Sequence, residues 1–237
     1  VQYELLDGDA AGDGRVRLYY NSVVLASSLN AADVLDQMLW HINAESARRT
    51  GEFVLVHAGA VAVPGGAGLI IPGVSGTGKS TLVSGLLHAG FGYFSDEAAA
   101  IDPIERQLHS YPKAVTLKDR TVFETYPELP PAGVRPEYVR NHWYIVPEEI
   151  RPDIMAPPAP VGHVVLSRFE PGAPTTIELA SRAEAAAAVG RSIINIGRYK
   201  SRVLPLLADL VAGARCYSLR SGDLRSAVDA VVAATTS

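Results

Sequence analysis

Residues Arg15 to Ser28, RVRLYYNSVVLASS, are rich in Val, Leu and Tyr and break at Asn21-Ser22, which predicts two strands joined by a tight turn. From Asn30, a candidate N-cap, AADVLDQMLWHINAESARR places Val34, Leu35, Met38, Leu39 and Ile42 at three- and four-residue spacing. That is the stripe of an amphipathic helix, ending near Thr50-Gly51. Two short apolar runs follow, FVLVHAGAVAV and AGLIIPG, separated by the turn chemistry of Pro64-Gly65-Gly66. The second run leads into a glycine-rich loop, GVSGTGKST. KSTLVSGLLHAG then has helical spacing with a stop signal at Gly90, and FGYFSDE reads as a buried strand ending in acids. Strand, loop, helix and strand within about 35 residues is the size of one βαβ unit.

The texture changes between residues 103 and 160, where eleven prolines break up any long element, so loops and short strands are expected. GHVVLSRFEPG then reads as a strand, and SRAEAAAAVGRSI as a helix with the Ser181/Glu184 spacing of a capping box. SRVLPLLADLVAGA, CYSLR and DLRSAVDAVVAAT complete the pattern as helix, strand and closing helix, without an internal repeat.

The 237 residues are 48% hydrophobic and 19% charged, the balance of a folded domain with a substantial apolar core. A formal charge of −4 with scattered Lys and Arg provides no basic stripe, which argues against a nucleic-acid partner. Cys216 is the single cysteine and has no internal disulfide partner. Neither a signal-peptide pattern nor an apolar run of membrane-spanning length is present, so the expectation is a cytoplasmic protein without a membrane partner.

Gly73 to Ser80 satisfies G-x-x-x-x-G-K-[ST] in full, in the right context of a preceding apolar strand and a following helix. Glycines let successive backbone N–H groups curl around phosphate, and the helix adds its positive end. The candidate phosphate contacts are Gly73, Ser75, Gly76, Thr77, Gly78, Lys79, Ser80 and Thr81. Lys79 would reach the β- and γ-phosphates of ATP, and the Ser80 hydroxyl would ligate Mg²⁺. Asp96 and Glu97 follow the next strand, placed to serve either the metal or a substrate hydroxyl. His57, among small and apolar neighbours, fits equally a buried imidazole bonded to backbone and a functional group. The guanine-reading Asn-Lys-x-Asp string is absent.

Three segments in order, VHAGAVAV, IIPGVSGTGKSTLVSGLLHAG and FGYFSDEAAAID, resemble the catalytic domain of HPr kinase/phosphorylase. The chain resembles more closely the HPr-kinase-like group that includes the lasso-peptide precursor kinases. SYPKAVTLK and CYSLRSGDLRSAVDAV are also similar to that group. The resemblance implies an α/β fold of the phosphoenolpyruvate carboxykinase-like type, a P-loop kinase core of mixed β-sheet with flanking helices. The domain expectation is residues 1–50 as a hairpin and helix packed on the core, and residues 51–237 as the catalytic domain. The implied activity moves the ATP γ-phosphoryl group to a serine hydroxyl. Asp96 takes the role of base, Glu97 that of metal holder, and His57 that of support beside the catalytic acid. Glu97 stands where the bacterial regulatory enzyme has Asp, and that enzyme's late glycine-flanked arginine segment has no counterpart, which argues against HPr itself as acceptor.

The leading reading is an ATP- and Mg²⁺-dependent kinase acting on a serine of a ribosomal precursor peptide or small protein. A small-molecule kinase on the same scaffold and an ATP-binding switch without transfer are the alternatives. Lys113, in the proline-rich segment, marks the first place to look for an acceptor groove. The bacterial regulator is a hexamer, so the resemblance also admits a homo-oligomer.

Overall fold

The structure, a computed structural model, describes residues 2–6, 12–73, 76–134, 136–139 and 141–236. The chain divides into two compact units, Val1–Thr50 and Gly51–Ser237. In the first, β1 (Tyr3–Leu6), β2 (Val16–Tyr20) and β3 (Val23–Ser28) form an antiparallel sheet in that order, followed by α1 (Ala31–Arg49). Asn21 and Ser22 have φ of 47° and 67°, the doubly left-handed geometry whose twist suits a two-residue hairpin turn. The Asn30 side chain accepts a hydrogen bond from the Ala32 N–H at 3.0 Å, capping α1. Of the predicted stripe, Val34 is fully buried, whereas Leu35, Leu39 and Ile42 remain exposed.

The second unit is a mixed α/β structure. Its elements are β4 (Val54–Ala62), β5 (Gly68–Pro72), α2 (Lys79–His88), β6 (Gly92–Ser95), β7 (Ala98–Ile101), β8 (Gln107–His109) and β9 (Val115–Leu117). Then come α3 (Val122–Thr125), β10 (Glu137–Val139), β11 (His142–Ile145), α4 (Pro147–Ile150), β12 (Ala159–Phe169) and β13 (Thr176–Leu179). The chain closes with α5 (Arg182–Arg191), α6 (Ile196–Tyr199), α7 (Val203–Gly213), β14 (Arg215–Ser221) and α8 (Leu224–Thr235). The eight-stranded sheet runs β13-β14-β12-β5-β4-β7-β8, with β6 also paired to β4. β12 is parallel to both β5 and β14, and β4 is antiparallel to β5, β6 and β7. A separate antiparallel sheet, β10-β11-β9, comes from the proline-rich segment.

Successive residues of a strand face opposite sides, and the central strands are apolar on both, as strands covered by helices on each face must be. Val56, Ala58, Ile70 and Val164 join Val189 of α5 and Leu206 and Leu210 of α7 in one core cluster. Val61, Leu69, Ile71 and Val165 join Leu82 and Leu86 of α2 and Leu224 and Val231 of α8 in the other. Among the described residues, no helix is long and apolar enough to cross a membrane.

Two departures from the sequence reading bear on the site. β5 and β6 do run parallel, but they are not neighbours, because antiparallel β4 lies between them. FGYFSDE also does not run out into a loop: after Asp96 and Glu97 the chain re-enters the sheet as β7, paired to the same strand β4 that holds β6. The acids therefore sit in a two-residue bend pinned at both ends. TIEL, β13, is an antiparallel edge strand on β14 that the hydrophobic pattern did not mark.

Glycine in the middle of a strand weakens it unless another element needs the space. At Gly59 a Cβ would lie 2.6 Å from Val83 Cγ2, so α2 packs on β4 at a separation only glycine allows. Gly59→Ala is expected to destabilise the protein by about 1–3 kcal/mol through overpacking, read as a fall of several degrees in the thermal unfolding midpoint; an unchanged midpoint would show that α2 shifts freely.

Candidate active site

The loop between β5 and α2 begins at Gly73, whose N–H lies 3.4 Å from the His57 carbonyl oxygen. Gly76 and Gly78 have φ of 89° and 82°, backbone geometry that residues with a Cβ rarely adopt. Gly78 is the N-cap of α2 and offers no side chain there, leaving the N–H groups of the first turn facing outward. Lys79, the first helical residue, is only 5% exposed. Burial holds its amine below the usual lysine value, as does the nearby Lys118 charge, while Asp96 and Glu97 oppose the shift. Val74 and Ser75 lie outside the described residues.

The acid bend is built from backbone. Ser95 is buried, and its hydroxyl accepts the N–H groups of Glu97 and Ala98 at 3.2 and 3.0 Å. The Glu97 carbonyl accepts the Ala58 N–H at 3.2 Å and lies 3.1 Å from His57 Nδ1. A carbonyl only accepts, so the imidazole proton resides on Nδ1. Burial lowers the His57 pKa, with the Lys79 charge adding to the shift, and the ring is therefore neutral at pH 7 with Nε2 as acceptor. The His57 N–H donates to Ser192 O at 2.7 Å, and Asn195 brackets the start of β4, accepting the Leu55 N–H at 3.0 Å and donating to Phe53 O at 2.9 Å.

The Asp96 side chain is 2% exposed. Its Oδ2 accepts the Thr116 N–H at 2.9 Å, and the Ser80 side chain lies close enough to favour the same carboxylate's charge. Lys113 Nζ lies 4.0 Å from Oδ1 and pairs directly with Glu97. The Tyr93 hydroxyl donates to Lys113 O at 2.9 Å and accepts the Asp96 N–H at 3.1 Å. Burial raises the Asp96 pKa above the usual carboxylate range, although Lys113, the Thr116 N–H and Ser80 pull it back. Burial also disfavours charge on Lys113, but the charges of Asp96 and Glu97 outweigh it and hold that amine above its ordinary value.

Neither the comparison with protein-family models nor that with curated proteins finds a match to this chain. The chemistry of the site therefore rests on its own geometry.

That geometry brings the sequence-predicted residues Lys79, Ser80, Asp96 and Glu97 together, with His57 holding the bend behind them. Thr77, Gly78 and Thr81 line a neighbouring cavity. Lys113 lies against the acids. Three participants escaped sequence reasoning. Tyr93 stands in a buried strand three residues before Asp96, where a phenol needs a partner. Thr116 alternates with the buried Val115 and Leu117 of β9, which places it on the opposite face of that strand, and Lys118 directly follows the strand. Lys118 depresses both Lys79 and His57.

Among the described residues no group of three or more His, Cys, Asp or Glu side chains could enclose a metal. The Ser80 hydroxyl and the Glu97 and Asp96 carboxylates nevertheless fit Mg²⁺, which keeps several waters and takes one or two carboxylates together with phosphate oxygens. In the metal-free protein, the Asp96 carboxyl is expected to titrate above the ordinary carboxylate range, followed by carbon-detected NMR. Lys113→Met removes a positive charge that favours the anion, so it moves that titration to still higher pH. A shift to lower pH would show that Lys113 is not the dominant opposing charge.

Proposed function

We propose that this chain is an ATP- and Mg²⁺-dependent kinase that transfers the γ-phosphoryl group to a hydroxyl, with a serine of a peptide or small protein as acceptor. The observation that carries the reading is the buried carboxylate of Asp96, set beside Lys79 and Ser80 of the glycine-rich loop. Holding Mg²⁺ beside phosphate also takes a carboxylate; what favours transfer is that this one is buried with its proton affinity raised, as an oriented proton acceptor for a hydroxyl requires. The resemblance to HPr-kinase-like proteins assigns the same residues and a P-loop kinase core of the phosphoenolpyruvate carboxykinase-like type.

In this reading the loop N–H groups and Lys79 hold the β- and γ-phosphates, and Lys118, close enough to act on Lys79, adds positive charge. Ser80 and Glu97 would hold Mg²⁺, which supplies neutralisation of phosphate charge when bound. Asp96 accepts the acceptor's hydroxyl proton as the new P–O bond forms and the bond to the β-phosphate oxygen breaks, releasing ADP. His57 keeps the acid bend in place through the Glu97 carbonyl. Lys113 covers both acids, so nucleotide and acceptor reach them with its flexible side chain turned aside. The proline-rich segment that carries Lys113 thereby forms one wall of the acceptor site.

Asp96→Asn is expected to slow transfer by roughly 10²–10⁴-fold while ATP binding persists, measured by mass spectrometry of acceptors incubated with ATP. Thermal stability at pH 7 should be no lower, since a buried negative charge is removed. Phosphate appearing on serine peptides supports the reading, and phosphate confined to a metabolite pool would replace it with a small-molecule kinase. Equal, slow ATP loss in wild type and Asp96→Asn with every acceptor would replace it with a nucleotide switch.

A further inference from the structure

β5, β12 and β14 run parallel and deliver their carboxyl ends to one edge of the sheet, where ligands of open α/β sheets bind. A cavity of about 140 Å³ opens there. From the loop and α2 its lining takes Thr77, Gly78, Thr81 and Leu82, but neither Lys79 nor Ser80, and neither acid of the bend. The start of α2 therefore has two sides. Lys79 and Ser80 face Asp96, and Thr81 faces the cavity.

The remaining walls are mainly apolar, with Val122, Leu219, Leu224 and Ala227 among them and Tyr126 at the side. Phe169, the last residue of β12, is 51% exposed although it lines the cavity, and its Cβ lies 3.6 Å from where a Cβ at Gly78 would be. A half-exposed ring at the mouth of an apolar slot is a stacking platform. One polar atom is out of place in this lining. Ser167 Oγ is buried and has no hydrogen-bond partner among the described residues. A hydroxyl in that state costs free energy that a ligand's polar edge would recover. The volume is close to that of an engineered cavity, roughly 150 Å³, that takes up a benzene ring.

We propose that this cavity receives the nucleobase of the nucleoside triphosphate. Phe169 stacks on the ring and the Ser167 hydroxyl bonds to its edge. The inference rests on the phosphate-binding reading of the loop given above. It sets the direction of the triphosphate across the start of α2, with the transferable end at Asp96 and the nucleoside beyond Thr81. It also makes the base a source of affinity, so that a nucleoside triphosphate outcompetes an inorganic polyphosphate that the loop alone would hold.

The test is calorimetric titration of ATP and of inorganic tripolyphosphate, both with Mg²⁺, into wild type, Phe169→Ala and Ser167→Ala, with thermal midpoints recorded for each. Wild type is expected to bind ATP at least about tenfold more tightly than tripolyphosphate. Phe169→Ala should weaken ATP by about tenfold, the scale of lost base–aromatic stacking, and leave tripolyphosphate unchanged. Ser167→Ala should weaken ATP by about three- to tenfold, as one hydrogen bond allows, with a thermal midpoint equal to or above that of wild type. Equal affinity of wild type for the two ligands, or variants that shift both ligands alike or neither, would overturn the base assignment while leaving the phosphate loop intact. Binding of neither ligand to folded wild type would remove the phosphate-loop reading and this inference together.

Discussion

Asp96 is a carboxylate withdrawn almost completely from water, and a buried charge costs several kcal/mol unless the protein replaces the lost solvation. Here the replacement comes from separate stretches of chain. Ser80 arrives on the first turn of α2, Thr116 on β9, and Lys113 from the segment just before β9. Tyr93 ties the last two to the acid itself by bonding both the Lys113 carbonyl and the Asp96 N–H. These bonds tie the small β10-β11-β9 sheet to the acid bend, alongside the packing of Val115, Leu117 and Ile145 with α2 in the core. The same burial that makes Asp96 costly raises its proton affinity, which is the property a proton acceptor for a hydroxyl requires.

β4 organises what lies behind that carboxylate. Its first half pairs with β7 and its second half with β6, so the two-residue break between those strands begins just after the His57–Ala98 pair, beside His57 and Ala58. Both residues bond the Glu97 carbonyl, one through the ring and one through the backbone. On its other edge β4 pairs with β5, which runs into the loop. One strand therefore fixes both the acid bend and the start of the glycine-rich loop, and Gly59 in its middle lets α2 close down on it.

The two sides of the α2 N-terminus differ in character. The acid side is crowded with charge: Lys118, Asp96 and Glu97 act on Lys79, Lys113 and Glu97 on Asp96, and both acids on Lys113. The cavity side is apolar with a single orphaned hydroxyl. Such a division suits a ligand with a polyanionic end and an aromatic end, and on the cavity side Phe169, the last residue of β12, and Leu219 of β14 line the slot.

Local chemistry was enough to read the tight turn at Asn21-Ser22, the Asn30 cap, the Ser181/Glu184 capping box and the loop motif, because each is decided by residues within a few positions of one another. Asp96 and Glu97 were marked for the same reason, as acids closing an apolar run that follows the loop helix. What the sequence by itself did not decide was pairing between distant segments: antiparallel β4 between β5 and β6, the return of the chain as β7, and the alignment of β9 along Asp96. Those contacts join residues twenty or more positions apart, such as Thr116 with Asp96 and Ser192 with His57, and the hydrophobic pattern of each strand is satisfied by any apolar neighbour. Only the folded sheet selects the neighbour. That selection turns Tyr93, Thr116 and Lys118 from unremarked positions into parts of the site, and leaves Ser167 buried without a partner beside the loop.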